Sequence, residues 1–348
     1  MPTVHSPIAC SSNERVAALS LVTERAHEYA DQAKASNTLR AYRADWRDFA
    51  AWCAAADRPA LPATPETVAL YLADLAGAGR KASTLQRRLS AISRAHQYAG
   101  HPSPTKDAAV RAVWAGIRRA HGVAQDGKAP ALTADIRAMV NVLPPGLIGV
   151  RDRALLLLGF AGAFRRSELV ALDVADLELT REGIVVTLRR SKTDQEGEGR
   201  RLGIPAGQHA ATCPVQAIRA WTAIAGIVEG PLFRPIDRHG NMGPGRLSDR
   251  AVALAVKRAA LAAGLDPDRY AGHSLRAALA TSAAAAGASE RSIMDQTGHR
   301  SLTMVRRYIR EGSLFRDNAA ARRTLGRTRP QRCRAQAREQ ECETCASR

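Results

Sequence analysis

One predicted β-hairpin interrupts a sequence whose apolar residues otherwise follow a helical pattern. This excess of helix over strand limits the folds that the chain can adopt. Residues 184 to 190, IVVTLRR, are rich in β-branched side chains, and residues 200 to 205, RRLGIP, supply a returning strand. The loop between them is polar and glycine-containing, as a hairpin requires. Apolar residues elsewhere recur at helical spacing. The sequence therefore predicts a mainly α protein with a small antiparallel β-sheet.

A Gly- and Pro-containing segment divides the chain into two predicted domains. The chain has 348 residues, enough for two domains that each bury a core. The first domain is expected to be all-helical, with helices at residues 13 to 34, 38 to 57, 65 to 78, 83 to 99 and 106 to 121. The expected boundaries are a disordered N-terminus at 1–12, the helical domain at 13–121, the linker at 122–132, a mixed α/β domain at 133–325 and a basic, disordered tail at 326–348.

The charge balance indicates a polyanionic partner. There are 51 Lys and Arg residues against 33 Asp and Glu, which leaves a formal net charge of +18. Such an excess most simply favours nucleic acid. Aromatic residues make up only 4 % of the chain, which argues against single-strand binding by stacked bases and for contacts to duplex phosphates.

Cysteine usage and the apolar runs predict a cytoplasmic protein without membrane contact, and a DNA partner would associate it with the nucleoid. Six cysteines lie without disulfide-like spacing, as expected in a reducing cytosol. Cys342 and Cys345 form one C-x-x-C, but no second pair stands at metal-ligand spacing, so no zinc site is expected. The longest apolar run, residues 154 to 164, is too short to span a bilayer, and the N-terminus lacks the order of a signal peptide.

Two helices of the first domain carry hydroxyl and basic residues near their predicted starts. Such side chains can bond DNA phosphates, although an ordinary solvated face is equally consistent with them. The overall charge favours the DNA interpretation. The candidate DNA-binding residues are Thr38, Arg40, Arg43, Thr84, Arg87, Arg88 and Arg94.

The chemistry is expected in the second domain, around an H-x-x-R formed by His273 and Arg276. Ser274 is a suitable N-cap for a helix that runs to Gly287, which would place both side chains in its first turn. Free N–H groups and the helix dipole favour an anion there. Farther upstream, Arg165 follows an apolar helix, where a guanidinium needs a partner or an anionic ligand. Glu168 could be that partner, in which case the two residues form only a structural ion pair.

His299 and Tyr308 complete the candidate set. A helix from Ser289 should end at Gly298 and deliver His299 into the next turn. A further helix over residues 301 to 310 has Leu302, Val305 and Ile309 as its apolar stripe, with Tyr308 at the edge of the buried face. Each residue alone is as typical of a solvated face, a turn or a core. Together they suit attack on a phosphodiester.

With Lys192 at the start of the hairpin loop, the order Arg165, Lys192, H-S-L-R at 273 to 276, T-G-H at 297 to 299 and R-R-Y ending at Tyr308 resembles that of the tyrosine recombinase (phage integrase) family. The resemblance covers roughly residues 13 to 325. Arg166 departs from it, because small or apolar residues are commoner there, and so does the cysteine-bearing tail.

The resemblance implies a helical SAM-like core-binding domain followed by a mixed α/β catalytic domain. Tyr308 would attack the scissile phosphate of double-stranded DNA and form a 3′-phosphotyrosine, with no ATP, metal or other cofactor. Arg165 and Arg276 would clamp the phosphate oxygens, and Lys192 would protonate the departing 5′-oxygen. His273, buttressed by Glu168, would help to take the tyrosine proton, while His299 would hydrogen-bond the phosphate.

The resemblance also implies an assembly. Four identical protomers would act on two recombination sites through a Holliday junction, with accessory DNA-bending proteins as further partners. The helix after Tyr308, at residues 318 to 325, would pack onto a neighbouring protomer. The sequence does not distinguish integration, excision, dimer resolution or inversion.

Two other functions fit part of the pattern. A type IB topoisomerase uses a similar set of residues to nick and reseal DNA without exchanging partners, but the compact helical domain before the catalytic one is typical of a recombinase. A catalytically silent DNA-binding regulator would not need all of the catalytic residue types that are present.

Overall fold

The computed structural model describes residues 22–25, 29, 35–123, 128–191, 194 and 197–312. Lys192, the predicted helix at 318–325 and the predicted disordered termini lie outside the described residues. The backbone contacts divide the chain into two compact units between residues 126 and 127.

The first unit is helical throughout its described part. Its helices are α1 (Ser36–Ala55), α2 (Pro65–Gly77), α3 (Ala82–Tyr98) and α4 (Ala108–His121). The Thr64 hydroxyl caps α2 by accepting a hydrogen bond from Thr67 N, and Asp107 caps α4 in the same way through Ala109 N. Phe49, Tyr71 and Leu85 lie at the centre of a core that is closed to solvent. These four helices begin and end within two residues of their predicted bounds. Most of the predicted helix at 13–34 lies outside the described residues.

The second unit places helices around a small sheet. Strands β1 (Leu177–Leu179), β2 (Gly183–Leu188) and β3 (Arg200–Pro205) pair antiparallel in the order β1-β2-β3. The prediction of a mainly α protein with a small antiparallel sheet is confirmed, while β1 and the short helix α7 were not predicted. The helices are α5 (Thr133–Asn141), α6 (Leu147–Ala161), α7 (Arg166–Ala171), α8 (Pro214–Ala225), α9 (Asp249–Ala262), α10 (Gly272–Ala286), α11 (Glu290–Thr297) and α12 (Leu302–Gly312).

Helix α6 is the centre of the second unit's core. Residues 154 to 158, ALLLL, are all buried, because this helix is covered on every side and not only along one stripe. Trp221 of α8 is also fully buried, and its indole N–H donates to Leu232 O at 2.7 Å. A rigid core thus lies directly behind the turn that carries Arg165.

Two local predictions were wrong. Ser274 does not cap α10, because the helix begins earlier, at Gly272, and the buried Ser274 hydroxyl instead accepts from Ala271 N at 3.0 Å. Leu302 is 46 % exposed, so the apolar stripe of α12 consists of Val305, Ile309 and the Tyr308 ring. Within the described part of the chain, the helices are too short or too polar to cross a membrane.

Candidate active site

Arg165 is held at the start of α7 by Glu168. The Arg165 backbone N–H donates to one carboxylate oxygen of Glu168 at 2.9 Å, and its guanidinium Nη1 donates to the other. Glu168 is 3 % exposed. Both oxygens of Glu168 thus bond Arg165, so Glu168 is the ion-pair partner that the sequence analysis suggested for this guanidinium.

Arg166, where the sequence departs from the family pattern, lies against the start of α10. A Cβ atom at Gly272 would come within 2.2 Å of Arg166 Cδ, so the glycine makes room for the longer side chain. The Arg166 guanidinium is 3.8 Å from the carboxylate of Asp249 on α9. The departure is therefore accommodated outside the cluster formed by Arg165 and Glu168.

Arg276 projects from the first turn of α10 into the same region and is 1 % exposed. Its Nη1 donates to Ala163 O at 2.8 Å, but its Nη2 is buried without a hydrogen-bond partner among the described residues. Burial and the nearby Arg165 lower the pKa of Arg276 to about 10, so it remains a cation at neutral pH. A buried cation with an unused donor is expensive unless an anion binds it.

Arg200 is a third guanidinium at the site and was not predicted. It is the first residue of β3, and its Nη1 donates to the carbonyls of Asp295 at 3.0 Å and Gln296 at 3.4 Å, at the end of α11. Cations are favoured at such helix C-termini. Burial lowers the pKa of Arg200, with Arg165 adding to the effect and Glu168 opposing it.

The turn after α11 depends on Gly298 for two reasons. Its φ of +65° is left-handed, and a Cβ at this position would lie 2.6 Å from Arg200 Nη1. The glycine therefore lets the chain reverse while Arg200 approaches closely. This turn delivers His299, as the sequence predicted.

His299 is fixed by a hydrogen bond between its Nδ1 and the Thr297 hydroxyl, 2.7 Å away. Burial lowers the pKa of His299 to about 4, and the positive charges of Arg276 and Arg165 contribute in the same direction. The imidazole is consequently neutral at physiological pH in the absence of a bound anion.

Tyr308 lies beside His299, with 5.8 Å between the ring centroids. It is half-buried, and it packs with α12 against a small cluster of Ala280, Ile293 and Val305. His273 is exposed at the second position of α10 and is close enough to His299 to contribute to its lowered pKa. Tyr308 is thus held on one side by apolar contacts and faces the histidine on another.

The structure brings Arg165, His273, Arg276, His299 and Tyr308 together, and it adds Arg200. A cavity of about 460 Å³ opens here, lined by residues that include Arg165, Arg200 and His299. Ser191 and Asp194 at its rim flank Lys192 in the sequence. The guanidinium groups of Arg165, Arg200 and Arg276 lie around the carboxylate of Glu168, and this cluster of positive charge suits an anion such as a phosphate. Asp194, Glu198 and Asp295 also line the cavity.

The residues predicted to contact DNA from the first unit separate into two groups. Arg87 makes a bidentate ion pair with Asp45, and the buried Arg88 bonds Asp48 and the Tyr71 hydroxyl. Burial and the hydrogen bond to Asp48 raise the pKa of Tyr71, so this phenol stays neutral. The remaining predicted residues are Arg40 and Arg43, which are exposed, Thr38 and Thr84, which are half-buried, and Arg94, whose guanidinium lies over the Tyr98 ring.

A second basic surface in the first unit was not predicted. Arg80, Arg118 and His121 line a groove of about 740 Å³ between the start of α3 and the end of α4. The sequence signal was present, because Arg80 precedes α3 and Arg118 lies in the last turn of α4, but the pairing of these helix ends requires the fold.

The chain matches two family models. The Phage integrase family model matches residues 132–313, and the model for the Phage integrase, N-terminal SAM-like domain matches residues 28–101. An integrase/recombinase xerD homolog from Selenomonas ruminantium is 45 % identical over 315 residues, which cover 89 % of this chain and 90 % of that protein. Recombinase cre of Escherichia phage P1 is 26 % identical over 299 residues, covering 80 % and 85 %.

Among solved structures, the fold is similar to that of the XerH site-specific recombinase in a post-cleavage complex with palindromic difH substrate. The TM-score is 0.56 at 17 % sequence identity, and the match covers 74 % of this chain and 72 % of that one. The SAM-like first domain and the mixed α/β second domain inferred from the sequence are therefore confirmed as a fold class.

Proposed function

Because the chain belongs to the phage integrase family and is a site-specific tyrosine recombinase, we propose that it cleaves and rejoins duplex DNA through Tyr308. The phenolic oxygen attacks the scissile phosphate, the P–O5′ bond breaks, and a 3′-phosphotyrosine forms. A free 5′-hydroxyl from a partner duplex then attacks this linkage. Because each step exchanges one phosphoester for another, neither ATP nor a metal is needed to conserve the bond energy.

The observation that carries this proposal is the unused Nη2 of the buried Arg276. Arg276 and Arg165 can each direct N–H groups at a phosphate oxygen, where negative charge builds in the transition state. Glu168 holds Arg165 in place, and Arg200 adds a third positive group. The donors are fixed before the substrate arrives, so little reorganisation opposes the reaction.

Proton transfers accompany both bond changes. Lys192 is proposed as the acid that protonates the departing 5′-oxygen, because the family resemblance assigns a lysine of the hairpin to this role and an ammonium can donate a proton. One of the two histidines near Tyr308, His273 or His299, is proposed to remove the phenolic proton, and the other to contact the phosphate.

The assembly is proposed to be a tetramer on two sites, exchanging strands through a Holliday junction. The XerH structure was determined with a DNA substrate, which supports duplex DNA as the partner here. Accessory DNA-bending proteins are compatible with this scheme, and binding to chromosomal DNA would keep the protein with the nucleoid.

The basic groove of the first unit is proposed to contact the DNA backbone. Replacing Arg80 and Arg118 together with alanine should weaken duplex binding and reduce the slope of log K against log salt by about 1.8, because each phosphate that a side chain neutralises contributes about 0.9 to that slope. Binding of a fluorescent duplex at several salt concentrations measures this. Arg58, which pairs with Glu66, provides a control in Arg58→Ala, whose slope should remain unchanged.

Arg88 should respond differently from the groove residues. Arg88→Ala removes a buried guanidinium that bonds the Tyr71 hydroxyl and the half-exposed Asp48, so it should destabilise the first unit by about 1 to 3 kcal/mol. Thermal unfolding measures the loss. If Arg88→Ala instead leaves the melting temperature unchanged and lowers only DNA affinity, the ion-pair interpretation is wrong.

The proposed function is tested by identifying the DNA target sequence and measuring recombination between two copies of it. Nicked genomic fragments that become covalently attached to the protein are recovered under denaturing conditions and sequenced, and two copies of the recovered site are placed in one plasmid. Recombinant products support the proposal. Relaxation of a supercoiled plasmid that lacks the site, without recombination of one that carries it, would favour a type IB topoisomerase.

A further inference from the structure

The Thr297 hydroxyl determines which nitrogen of His299 carries the proton. Thr297 is fully buried, and its Oγ1 is 2.6 Å from Ile293 O and 2.7 Å from His299 Nδ1. A hydroxyl has one hydrogen, and a carbonyl oxygen can only accept. Two oxygens at 2.6 Å repel each other unless a hydrogen lies between them, so this hydrogen is donated to Ile293 O. His299 Nδ1 must therefore be the donor to Thr297.

This assignment fixes the role of the other ring nitrogen. A neutral imidazole with its proton on Nδ1 has a lone pair on Nε2, where it accepts and cannot donate. Donation from Nε2 to a phosphate oxygen would require the imidazolium. The neutral ring is instead suited to accept a proton, and the Tyr308 ring is its neighbour, with centroids 5.8 Å apart.

We propose that Thr297 is a positioning residue that holds His299 with its proton on Nδ1, so that Nε2 accepts the phenolic proton of Tyr308 during cleavage. The Oη–H bond breaks as the Nε2–H and Oη–P bonds form, and the departing 5′-oxygen takes its proton from a separate acid, proposed to be Lys192. On religation the imidazolium returns its proton to the phenolate. The inference rests on the proposed function of Tyr308 as the nucleophile.

The charges around His299 support the neutral ring before DNA binds. Burial, and then Arg276 and Arg165, lower its pKa to about 4. A phosphate bound between the guanidinium groups offsets their charge and brings the pKa of His299 back toward neutrality, where a general base is most effective. The charged and titratable groups around it are Arg165 before α7, Arg200 and Arg201 on β3, His273 and Arg276 on α10, Tyr308 on α12, and Asp194, Glu198, Asp295 and Arg300 along the cavity rim.

The tautomer can be measured without any reaction. Long-range ¹H–¹⁵N spectra of the ¹⁵N-histidine-labelled protein, with the His299 signals identified by their loss in His299→Gln, should show a protonated Nδ1 and an unprotonated Nε2. Thr297→Val keeps the shape of the side chain but removes the hydroxyl, so the Nδ1–H population should fall. Thr297→Ser should restore it. A wild-type ring with its proton on Nε2, or an unchanged tautomer in Thr297→Val, overturns the proposal.

The kinetic arm uses a duplex with a 5′-bridging phosphorothiolate, whose sulfur leaves without needing a proton. Thr297→Val should cleave it about tenfold more slowly than wild type, with recovery in Thr297→Ser. The wild-type cleavage rate should rise with pH and then level off. His299→Gln should cleave at least about tenfold more slowly, and its rate should no longer rise with pH on the acid side of the profile. The Gln amide can still donate to a phosphate, so a wild-type rate in His299→Gln overturns the base assignment.

The outcomes separate this inference from the proposed function. If Tyr308→Phe abolishes cleavage while Thr297→Val and His299→Gln cleave at the wild-type rate, only the inference fails. If Tyr308→Phe still forms a covalent adduct, the nucleophile itself is misassigned. Circular dichroism of each variant shows whether it is folded, and Thr297→Ser and His299→Gln test the proposal if Thr297→Val is not.

Discussion

Replacing Arg276 with lysine should slow strand cleavage by about 10²- to 10⁴-fold, which corresponds to about 3 to 5 kcal/mol of lost transition-state stabilisation. The charge is retained, but an ammonium cannot bond Ala163 O and direct a second N–H group at a phosphate oxygen in one fixed plane. The rate is measured as formation of the covalent protein–DNA adduct in a single turnover with saturating protein.

Binding of uncleaved duplex distinguishes this effect from a loss of affinity. We expect the affinity of Arg276→Lys to stay within about threefold of wild type, because many other phosphate contacts contribute to it. Wild-type cleavage by Arg276→Lys would show that the unused Nη2 has no part in the reaction. If the cleavage rate falls only as much as the affinity for uncleaved duplex, Arg276 contributes to substrate binding and not to stabilisation of the transition state.

Replacing Arg200 with alanine should reduce the cleavage rate by about 10²- to 10³-fold, comparable to the loss of one positioned donor at other charged transition states. Arg200 supplies positive charge beside Arg165 and also binds the carbonyl end of α11, from which His299 extends. Its removal should therefore weaken the electrostatic stabilisation and loosen the turn that holds His299.

The neighbouring residue provides a matched control. Arg201 belongs to the rim of the same cavity, but it has the opposite parity on β3, its side chain is 67 % exposed, and its guanidinium pairs with Glu178 at 2.7 Å. Arg201→Ala removes the same charge from the same strand, so it should cleave within about threefold of wild type, since exposed ion pairs contribute little. Equal losses in Arg200→Ala and Arg201→Ala would mean that only the net charge of the chain matters.

The fold class and the order of the site residues follow from local patterns. Helical spacing, the β-branched run on β2 and the turn at Gly298 are each set by residues close in sequence, and the structure confirms them. The motifs around His273, His299 and Tyr308 lie on three successive helices, and short connections keep such helices together. Local sequence patterns therefore predict most of the secondary structure in this part of the chain.

Pairings across long separations were not accessible from the sequence. Arg87 and Arg88 bond acids 42 and 40 positions earlier, and nothing near them in the sequence indicates those partners. Charged residues near the start of a helix were therefore interpreted from the sequence as DNA contacts, and the structure adds that two of them make ion pairs within the first unit.

Arg200 and Thr297 are two site residues that the sequence analysis did not predict, for different reasons. Arg200 has the same parity on β3 as the buried Leu202 and Ile204, so the period of two places it on the core-facing side. That signal was readable from RRLGIP. Thr297 is one residue before the predicted cap, but its bond to His299 Nδ1 depends on the left-handed turn at Gly298, whose geometry the sequence does not give.

The central claim is that the Tyr308 oxygen becomes bonded to phosphorus. Digestion of the denatured covalent adduct, followed by mass spectrometry of the peptide that retains a nucleotide, locates the link directly. We predict that the modified peptide contains Tyr308, with the phosphate attached to its side chain, and that Tyr308→Phe yields no adduct. A nucleotide attached to any other side chain, or an adduct formed by Tyr308→Phe, would contradict the account.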